Sequence, residues 1–324
     1  MPLHQRERAI VQVAQTQPGS TPYVNRRPMR VPGRLNGSTL QELLMAVYPF
    51  AGIQYWEDIL SKDLLLVDEQ PALLNQRVHC GARIIRLVPD TVEPEITPAI
   101  EVLDEDEDLL VINKPAPLPM HPCGRFNKNS LTELAKVAWP DLNLRPAHRL
   151  DANTTGLAVF TRHRKAAGVV QFQFERQAVT KIYLSHVEGL PKEQHFSVDS
   201  AISAKADREG CRKVTEDGQA SLTDFSVLAD CGDNTSIVQA RPHTGRTNQI
   251  RIHLQSAGHP IVGDAAYGSD KKLVHGFTSE DATLRLHAWK LEFTHPTTAQ
   301  SVQFEAPLPE WAGALRRSAG LSLP

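Results

Sequence analysis

The chain has 324 residues, with 35 Lys and Arg against 37 Asp and Glu and a formal net charge of −2. At about 100–200 residues per domain, the length predicts two domains. A hydrophobic share of 41% with 22% charged residues argues against global disorder. We expect neither a membrane partner nor a secretory signal, because no apolar run approaches about 18 residues and the N-terminus is charged. The near-neutral total gives no reason to expect a nucleic-acid partner.

The cysteine spacing predicts free thiols and a cytoplasmic protein. The four cysteines are Cys80, Cys123, Cys211 and Cys231. No two of them have CxxC spacing, which argues against a zinc knuckle or a redox pair. Four scattered cysteines in a chain of this length also form no disulfide framework.

Residues 1–33 are predicted to form an irregular basic leader. This segment contains five arginines before Arg34 and the single acid Glu7, and prolines and glycines interrupt it. It is either a tail lying on the surface or an arm that contacts phosphates.

Residues 34–94 are predicted to form a small helix–helix–strand–strand module. Ser38 and Thr39 can cap a first helix, which Pro49 ends, and residues 53–61 fit a second helix. Short strands are expected at 64–67 and 83–88. A proline-rich linker over 89–98 follows, and the acidic stretch 101–108 is expected to be a solvated turn.

Residues 95–324 are predicted to form one larger domain of the α+β class, with a mixed or antiparallel sheet and flanking helices. Strands are expected at 109–112, 157–160, 181–187, 223–228, 236–241, 284–293 and 301–305. Helices are expected at 130–137, 165–176 and 248–257. Strands and helices do not alternate strictly, which argues against a doubly wound parallel sheet.

Positive charge concentrates in two segments of this domain. Residues 144–181 hold seven bases against two acids, and residues 241–259 hold three arginines, three histidines and no acid. If the loops of these segments meet, they form a basic cleft for a phosphate-rich ligand. Alternatively, the arginines point apart and pair with acids elsewhere.

The segment HRLDANTTGL, residues 148–157, places Asp151 in a loop with hydroxyl groups and a glycine. The glycine permits a tight turn, and nearby cations favour the ionised form of a carboxylate. Such a group can act as a nucleophile, a general base or a metal ligand. A purely structural loop aspartate could have the same sequence pattern.

This segment resembles the signature of the RluA-type family of RNA pseudouridine synthases, close to HRLDxx[ST][ST]GL. Three further segments resemble the family's other motifs, in the family's order. They are Leu110 to Pro115 with Met120 to Pro122, Thr180 to Tyr183, and Arg241 to His253 continued by Gly258 to Asp264 and Tyr267-Gly268.

The resemblance implies that the protein converts uridine in RNA to pseudouridine without a cofactor. Asp151 matches the family's catalytic aspartate, Tyr183 its stacking tyrosine, and Arg251 the arginine that pairs with the aspartate. Arg246 is the alternative partner. Arg149 matches the residue that fills the gap left by the flipped nucleotide. The residues implied to contact RNA are Arg149, His148, Arg246, Gln249, Arg241 and Thr154.

The 34–94 module resembles the S-four-like RNA-binding domain that often precedes this catalytic domain. Its helices, however, carry Glu42, Glu57 and Asp58 where a phosphate-binding face needs Lys or Arg. The module is therefore alternatively a spacer or a contact to a partner.

Two other functions compete with the synthase. His243, His253, His259 and Asp264 could be the ligands of a metal-dependent phosphoesterase. The protein could also be a non-catalytic RNA-binding protein of the same fold. No GxxxxGK[ST] motif occurs, so no nucleotide cofactor is expected. The expected partner is structured RNA, with ribosomal and transfer RNA both open, and the expected state is a monomer.

Overall fold

A computed structural model describes residues 17–97, 100–207, 210–269 and 284–318. The chain divides into two compact units. The N-terminal unit is Gly19–Glu93, and the larger unit holds the described residues from Pro94 onwards together with Gln17 and Pro18.

The N-terminal unit packs two helices against a four-stranded antiparallel sheet. Its elements are β1 (Tyr23–Arg30), α1 (Leu40–Val47), α2 (Ile53–Ser61), β2 (Leu65–Val67), β3 (Gln70–Pro71) and β4 (Arg83–Thr91), with sheet order β1-β4-β2-β3. Thr39 and Glu42 form a capping box at the start of α1, as the sequence pattern predicts. Leu40, Leu43 and Trp56 lie in its buried core.

The segment before Arg34 differs from the sequence expectation. Residues 23–30 form a regular strand of the N-terminal unit, not part of an irregular leader, and they pair with β4 over its length. Pro28 is tolerated because β1 is an edge strand, where one side of the backbone needs no ladder hydrogen bonds. The rest of the leader, before Gln17, lies outside the described residues.

The larger unit is built on one sheet, which has ten strands among the described residues. Its strands are β5 (Glu101–Glu105), β6 (Leu109–Lys114), β7 (Arg145–Pro146), β8 (Thr155–Thr161), β9 (Thr180–Glu188), β10 (His195–Val198), β11 (Thr223–Asp230), β12 (Thr235–Pro242), β13 (Leu286–Thr294) and β14 (Ser301–Glu305). Its helices are α3 (Leu131–Ala138), α4 (Arg164–Glu175), α5 (Gln249–Ser256) and α6 (Gly313–Ser318).

The main path of the sheet runs β10-β11-β12-β9-β13-β8-β6-β5, with β14 on β13 and β7 on β8. Within the described chain, β8 and β13 are parallel and the other neighbouring strands are antiparallel. The predicted α+β class with a mixed sheet is therefore confirmed. β9, β13 and β8 lie in the middle of this sheet, and the Asp151 motif leads directly into β8.

The acidic stretch 101–108 is not a solvated turn. Glu101–Glu105 is a strand, and Asp108 is buried in the tight turn that follows. The Nε2 atom of His163 lies 2.7 Å from the Asp108 carboxylate, and Asp106 accepts the backbone N–H groups of Asp108 and Leu109, both at 2.7 Å. The His163 contact gives the buried Asp108 carboxylate a hydrogen-bond partner, which lowers the cost of burying it.

Two composition-based expectations can be compared with the described residues. All four cysteines are free thiols. Nowhere in the described ranges does a helix have both the length and the apolar character needed to cross a membrane.

Candidate active site

A cavity of about 290 Å³ opens over the centre of the large sheet. Three elements bring their motif residues to it. The loop between β7 and β8 supplies Asp151, β9 supplies Tyr183, and α5 supplies Arg251. Both basic segments, residues 144–181 and 241–259, contribute residues to the lining of this cavity, so they meet in the fold.

The Thr-Thr-Gly part of the motif fixes the Asp151 loop to the sheet. Thr154 donates its backbone N–H to the Asp151 carbonyl at 3.1 Å, and the Thr155 hydroxyl lies 2.8 Å from Nδ1 of His287. Gly156 is in β8, not in a turn, with φ of +103°. A Cβ there would lie 2.2 Å from the Ala288 carbonyl oxygen. The glycine is therefore required for the close parallel approach of β8 and β13.

Arg251 connects Asp151 to a buried anchor. Its Nη1 donates to Asp151 Oδ2 at 3.2 Å, while Nε and Nη2 donate to the two oxygens of Asp264, both at 2.7 Å. Asn248 accepts from the same Nη1 at 3.2 Å, and the ring centroid of Tyr267 lies 4.9 Å from the guanidinium carbon. Burial alone would lower the pKa of Arg251, but the hydrogen bonds and charges of Asp264 and Asp151 outweigh it and raise the pKa. The guanidinium is thus a permanently charged, rigid partner for Asp151.

Lys114, at the end of β6, contacts the backbone of the Asp151 loop. Its side chain is fully buried, and Nζ donates to the carbonyls of Pro115 and Leu118 at 2.8 Å and of Ala152 at 3.1 Å. Burial lowers its pKa to about 7, although the charge of Asp151 acts in the opposite direction. Because Ala152 follows Asp151 directly, this contact fixes the backbone that carries the carboxylate.

Aromatic rings form the apolar part of the cavity wall. Burial, together with the negative charge of Asp151, raises the pKa of Tyr183, so its phenol stays protonated. The ring of His148 stacks on Phe174 with centroids 5.1 Å apart, and its Nε2 accepts from the backbone N–H of Val159 at 3.2 Å. Burial lowers the pKa of His148 to about 4, so this side chain is neutral at ordinary pH. The cavity therefore combines flat rings with charged groups.

The residues implied to contact RNA are placed differently from one another. Arg149, His148, Arg246, Gln249 and Thr154 line the cavity, whereas Arg241 is exposed on β12 opposite Asp224 and is not part of the lining. Thr154 is buried.

Two of these lining residues also brace the loop before α5. The buried Gln249 accepts from the Thr244 hydroxyl at 2.7 Å and donates to the Leu222 carbonyl at 3.0 Å. Arg246 donates from Nε to the Ala220 carbonyl at 3.1 Å. Of the two arginines considered as the partner of Asp151, Arg251 is the one that contacts its carboxylate.

Sequence reasoning gave no part in a synthase site to four residues that build it, and it considered one of them, Asp264, only as a metal ligand. They are Lys114, Lys181, Asn248 and Asp264. Lys181 donates from Nζ to the Thr244 carbonyl at 3.1 Å, and burial lowers its pKa to about 8. Each of the four lies inside a segment that carries the family resemblance, which is the signal that could have identified them.

The four residues of the metal-site alternative do not form a cluster. His253 is bonded within the core to Thr223, and His243 lies 2.6 Å from Asp224. His259 lies 3.0 Å from the Glu188 carbonyl, and Asp264 holds Arg251. The group of potential metal ligands found within the described ranges is Asp106, Asp108 and His295, which includes none of these four.

A carboxylate held by a fixed arginine, with aromatic rings beside it in a cationic cavity, is an arrangement suited to a nucleoside within a polyanion. Comparison with known proteins agrees. The model of the RNA pseudouridylate synthase family matches residues 108–256. An uncharacterised RNA pseudouridine synthase of Bacillus subtilis is 31% identical over 280 residues, covering 84% of this chain and 89% of the relative.

Two further relatives extend this result. The ribosomal large subunit pseudouridine synthase D of Nitrosomonas europaea is 32% identical over 312 residues, covering 92% of this chain and 89% of that protein. The structure of human RNA pseudouridylate synthase domain containing 1 superposes with a TM-score of 0.54 at 29% identity, covering 65% of this chain and 84% of that one. The chain belongs to the RNA pseudouridine synthase family. It is an isomerase that acts on uridine in RNA.

Proposed function

We propose that this enzyme isomerises specific uridines of ribosomal or transfer RNA and that Asp151 is its catalytic group. The observation that carries the assignment is the Asp151–Arg251–Asp264 chain of charge-assisted hydrogen bonds in the cavity. Ribosomal RNA is the favoured substrate, because a relative covering most of the chain is named for the large ribosomal subunit.

The proposed reaction breaks the N1–C1′ bond of uridine and forms a C5–C1′ bond. The base loses its C5 proton and gains a proton on N1, so nothing is oxidised or reduced. Asp151 either attacks the sugar carbon or removes a sugar proton so that the base departs. Both routes need the carboxylate held in a fixed orientation, and the contact with Arg251 at 3.2 Å provides this.

The target nucleotide must leave its stack before Asp151 can reach it. Arg149 is exposed, lines the cavity and lies two residues before Asp151, so its planar guanidinium is placed to fill the gap. Tyr183 offers its ring face to the flipped uracil. Arg246 and Lys181 add positive charge for the neighbouring phosphates.

The decisive experiment replaces Asp151 by Asn, which keeps the shape of the side chain and removes its charge. Pseudouridine formation on total ribosomal and transfer RNA should be abolished while RNA binding is retained. Arg241→Gln is a matched control, because Arg241 does not line the cavity. Full activity of Asp151→Asn would refute the assignment, and loss of wild-type activity in a chelator would restore the metal alternative.

We further propose that the enzyme acts as a cytoplasmic monomer. The free cysteines support a reducing compartment. Light scattering of the purified chain tests the monomer, and fractionation of the source cell tests the compartment. A stable dimer or a secreted protein would contradict this part.

A further inference from the structure

The turn at residues 264–268 holds the guanidinium of Arg251 in two different ways. The Asp264 carboxylate accepts from one edge of the guanidinium at 2.7 Å, and the guanidinium carbon lies over the Tyr267 ring, 4.9 Å from its centroid. The turn is tightly closed, because Asp264 accepts from the backbone N–H of Tyr267 at 2.9 Å and from that of Gly268 at 2.8 Å. The hydroxyl group of Tyr267 takes no part in these contacts and makes two others.

The hydroxyl oxygen of Tyr267 accepts hydrogen bonds from two distant parts of the chain. One donor is Nδ2 of Asn248 at 3.1 Å, and the other is the backbone N–H of Arg212 at 3.0 Å. Tyr267 is only 3% exposed, so both bonds are shielded from water. Burial raises the pKa of the phenol, although the two hydrogen bonds and the charge of Arg251 act in the opposite direction. Tyr267 thus joins the start of α5 to the segment between β10 and β11.

The side chain of Asn248 connects the Tyr267 hydroxyl to the contact between Arg251 and Asp151. Its Oδ1 accepts from Nη1 of Arg251 at 3.2 Å, and the same Nη1 donates to Asp151. An arginine offers only donors, so Oδ1 must face Arg251, which leaves Nδ2 for Tyr267. Asn248 also has a left-handed backbone with φ of +57°, a conformation that asparagine adopts more readily than most residues.

The segment between β10 and β11 is braced where it meets Tyr267. Ile202 is fully buried and packs in one apolar cluster with the Tyr267 ring. Nη1 of Arg212 donates to the carbonyls of Ser203 and Ala204 at 3.0 and 2.8 Å. These two bonds tie the backbone N–H that reaches Tyr267 to the rest of the segment.

The contacts of Arg251 leave one motion of its guanidinium to be restrained. Asp264 holds Nε and Nη2 at 2.7 Å, whereas the contacts of Nη1 with Asp151 and Asn248 are longer, at 3.2 Å. Two bonds on one edge allow a planar group to tilt about that edge, and the tilt moves Nη1 most. The Tyr267 ring blocks one face of the plane and Asn248 holds Nη1 itself, so these two residues oppose the tilt.

We infer that Tyr267 and Asn248 are positioning residues for the reaction. They connect the segment between β10 and β11 to Nη1 of Arg251 and thereby fix the direction of its bond to Asp151. The described lining of the cavity includes neither Tyr267 nor Arg212, so both act on the reaction through other side chains. The inference rests on the proposed function, in which Asp151 is the catalytic group.

The first test is Tyr267→Phe, which removes the hydroxyl group and keeps the ring beneath Arg251. Pseudouridine formation is measured over a range of RNA concentrations, and kcat is expressed per folded molecule. kcat should fall about ten-fold with KM unchanged, because a small misplacement of a reacting group is enough for such a loss. Asn248→Gly should also lower kcat, since glycine accepts the left-handed backbone and only the side chain is lost. An unchanged kcat in either variant would overturn the inference.

The second test asks whether the β10–β11 segment acts through Tyr267. Arg212→Gln removes the bonds to the Ser203 and Ala204 carbonyls. It should lower kcat several-fold in the wild type and have no further effect in Tyr267→Phe, because residues of one network are not additive. The matched control is Lys213→Gln, which removes the same charge from the exposed neighbour and should leave kcat unchanged. Losses of Arg212→Gln and Tyr267→Phe that multiply, or an equal loss in the control, would contradict the connection.

An NMR measurement separates this inference from the proposed function. Hydrogen exchange of the Arg251 guanidinium, followed in the full chain with labelled arginine, needs no turnover and reports how firmly its hydrogen bonds are held. Exchange at Nη1 should quicken in Tyr267→Phe and Asn248→Gly and stay at the wild-type rate in Lys213→Gln. If the wild-type chain forms no pseudouridine, the proposed function fails. Unchanged exchange in Tyr267→Phe and Asn248→Gly overturns the inference itself.

Discussion

The chain of contacts behind Asp151 can be tested by the substitution Asp264→Asn. Asp264 is fully buried and accepts four hydrogen bonds. Two come from Arg251 at 2.7 Å each, and two come from the backbone N–H groups of Ala266 and Tyr267 at 3.0 and 2.9 Å. Asparagine has the same shape but one acceptor oxygen fewer. If its oxygen keeps the backbone contacts, its NH₂ group meets the Nε–H of Arg251, donor against donor.

The expected cost is large, because a mostly buried guanidinium loses its main counter-charge. Arg251 is only 15% exposed, and breaking a buried ion pair from one side costs about 3–5 kcal/mol. Against a typical domain stability of about 5–15 kcal/mol, the variant should still fold at low temperature. Arg251 then keeps Asp151 and Asn248 as partners, but its orientation is no longer fixed. A misplacement of about 1 Å can reduce turnover about a hundred-fold.

The assay combines urea denaturation with pseudouridine formation, and kcat is expressed per folded molecule. Asp108→Asn is a suitable control, because Asp108 is also a buried, hydrogen-bonded acid but lies outside the cavity lining. Both variants should lose stability, but only Asp264→Asn should lose kcat. An unchanged kcat in Asp264→Asn, or equal losses in the two variants, would refute the positioning role of the Arg251 anchor.

Three further changes have defined outcomes. Gly156→Ala should destabilise the fold by about 3 kcal/mol or more, because its Cβ would lie 2.2 Å from the Ala288 carbonyl oxygen. The control is Gly168→Ala, in an open position of α4, which should stabilise the fold by about 0.5–1 kcal/mol. Similar thermal unfolding of the two variants would count against the close contact between β8 and β13.

Arg246→Gln should raise the KM for RNA several-fold and weaken the salt dependence of KM with little effect on kcat, since Arg246 lines the cavity but does not contact Asp151. A loss of kcat without a change in KM would instead show that Arg246 takes part in the reaction step. Burial lowers the pKa of Lys114 in the folded protein to about 7, so above that pH the unfolded chain binds more protons than the folded one. The free energy of unfolding of the wild type should therefore rise by up to about 1.4 kcal/mol per pH unit between about pH 7 and 10, relative to that of Lys114→Met. Parallel curves for the two proteins would contradict this linkage.

Local patterns were enough to predict most elements of the fold. The Thr39 cap, the helix over residues 53–61 and the paired strands predicted at 223–228 and 236–241 follow from capping and periodicity. β1 could not be predicted in this way, because Pro28 and its arginines are compatible with a strand only at the edge of a sheet. The strand in the acidic stretch depends on pairing with β6 and on histidines far along the chain, which no local pattern contains.

The site was predictable only as far as the motifs name residues. The proximity of Asp151 and Arg251, one hundred residues apart, is a property of the sheet order and not of the local sequence. The supporting contacts were out of reach for a similar reason. Asp264 and Lys114 act through buried hydrogen bonds to Arg251 and to three carbonyls, and no spacing rule predicts those partners. For Gly156 the residue was identified but its reason was wrong. The motif suggested that a turn needs this glycine, whereas the glycine is needed because β13 packs too closely for a Cβ.

The near-neutral net charge conceals how selectively the cations are used. Of the seven bases in residues 144–181, Arg149 and Lys181 line the Asp151 cavity, whereas Arg162 pairs with Glu105 at 3.2 Å. The count of bases along the sequence therefore overstates the charge offered to RNA. What attracts a phosphate is a cation without an acid beside it, in a concave surface of low dielectric constant. By that criterion the Asp151 cavity, with Arg149, Lys181 and Arg246 in its lining, is locally positive although the charges of the chain nearly cancel.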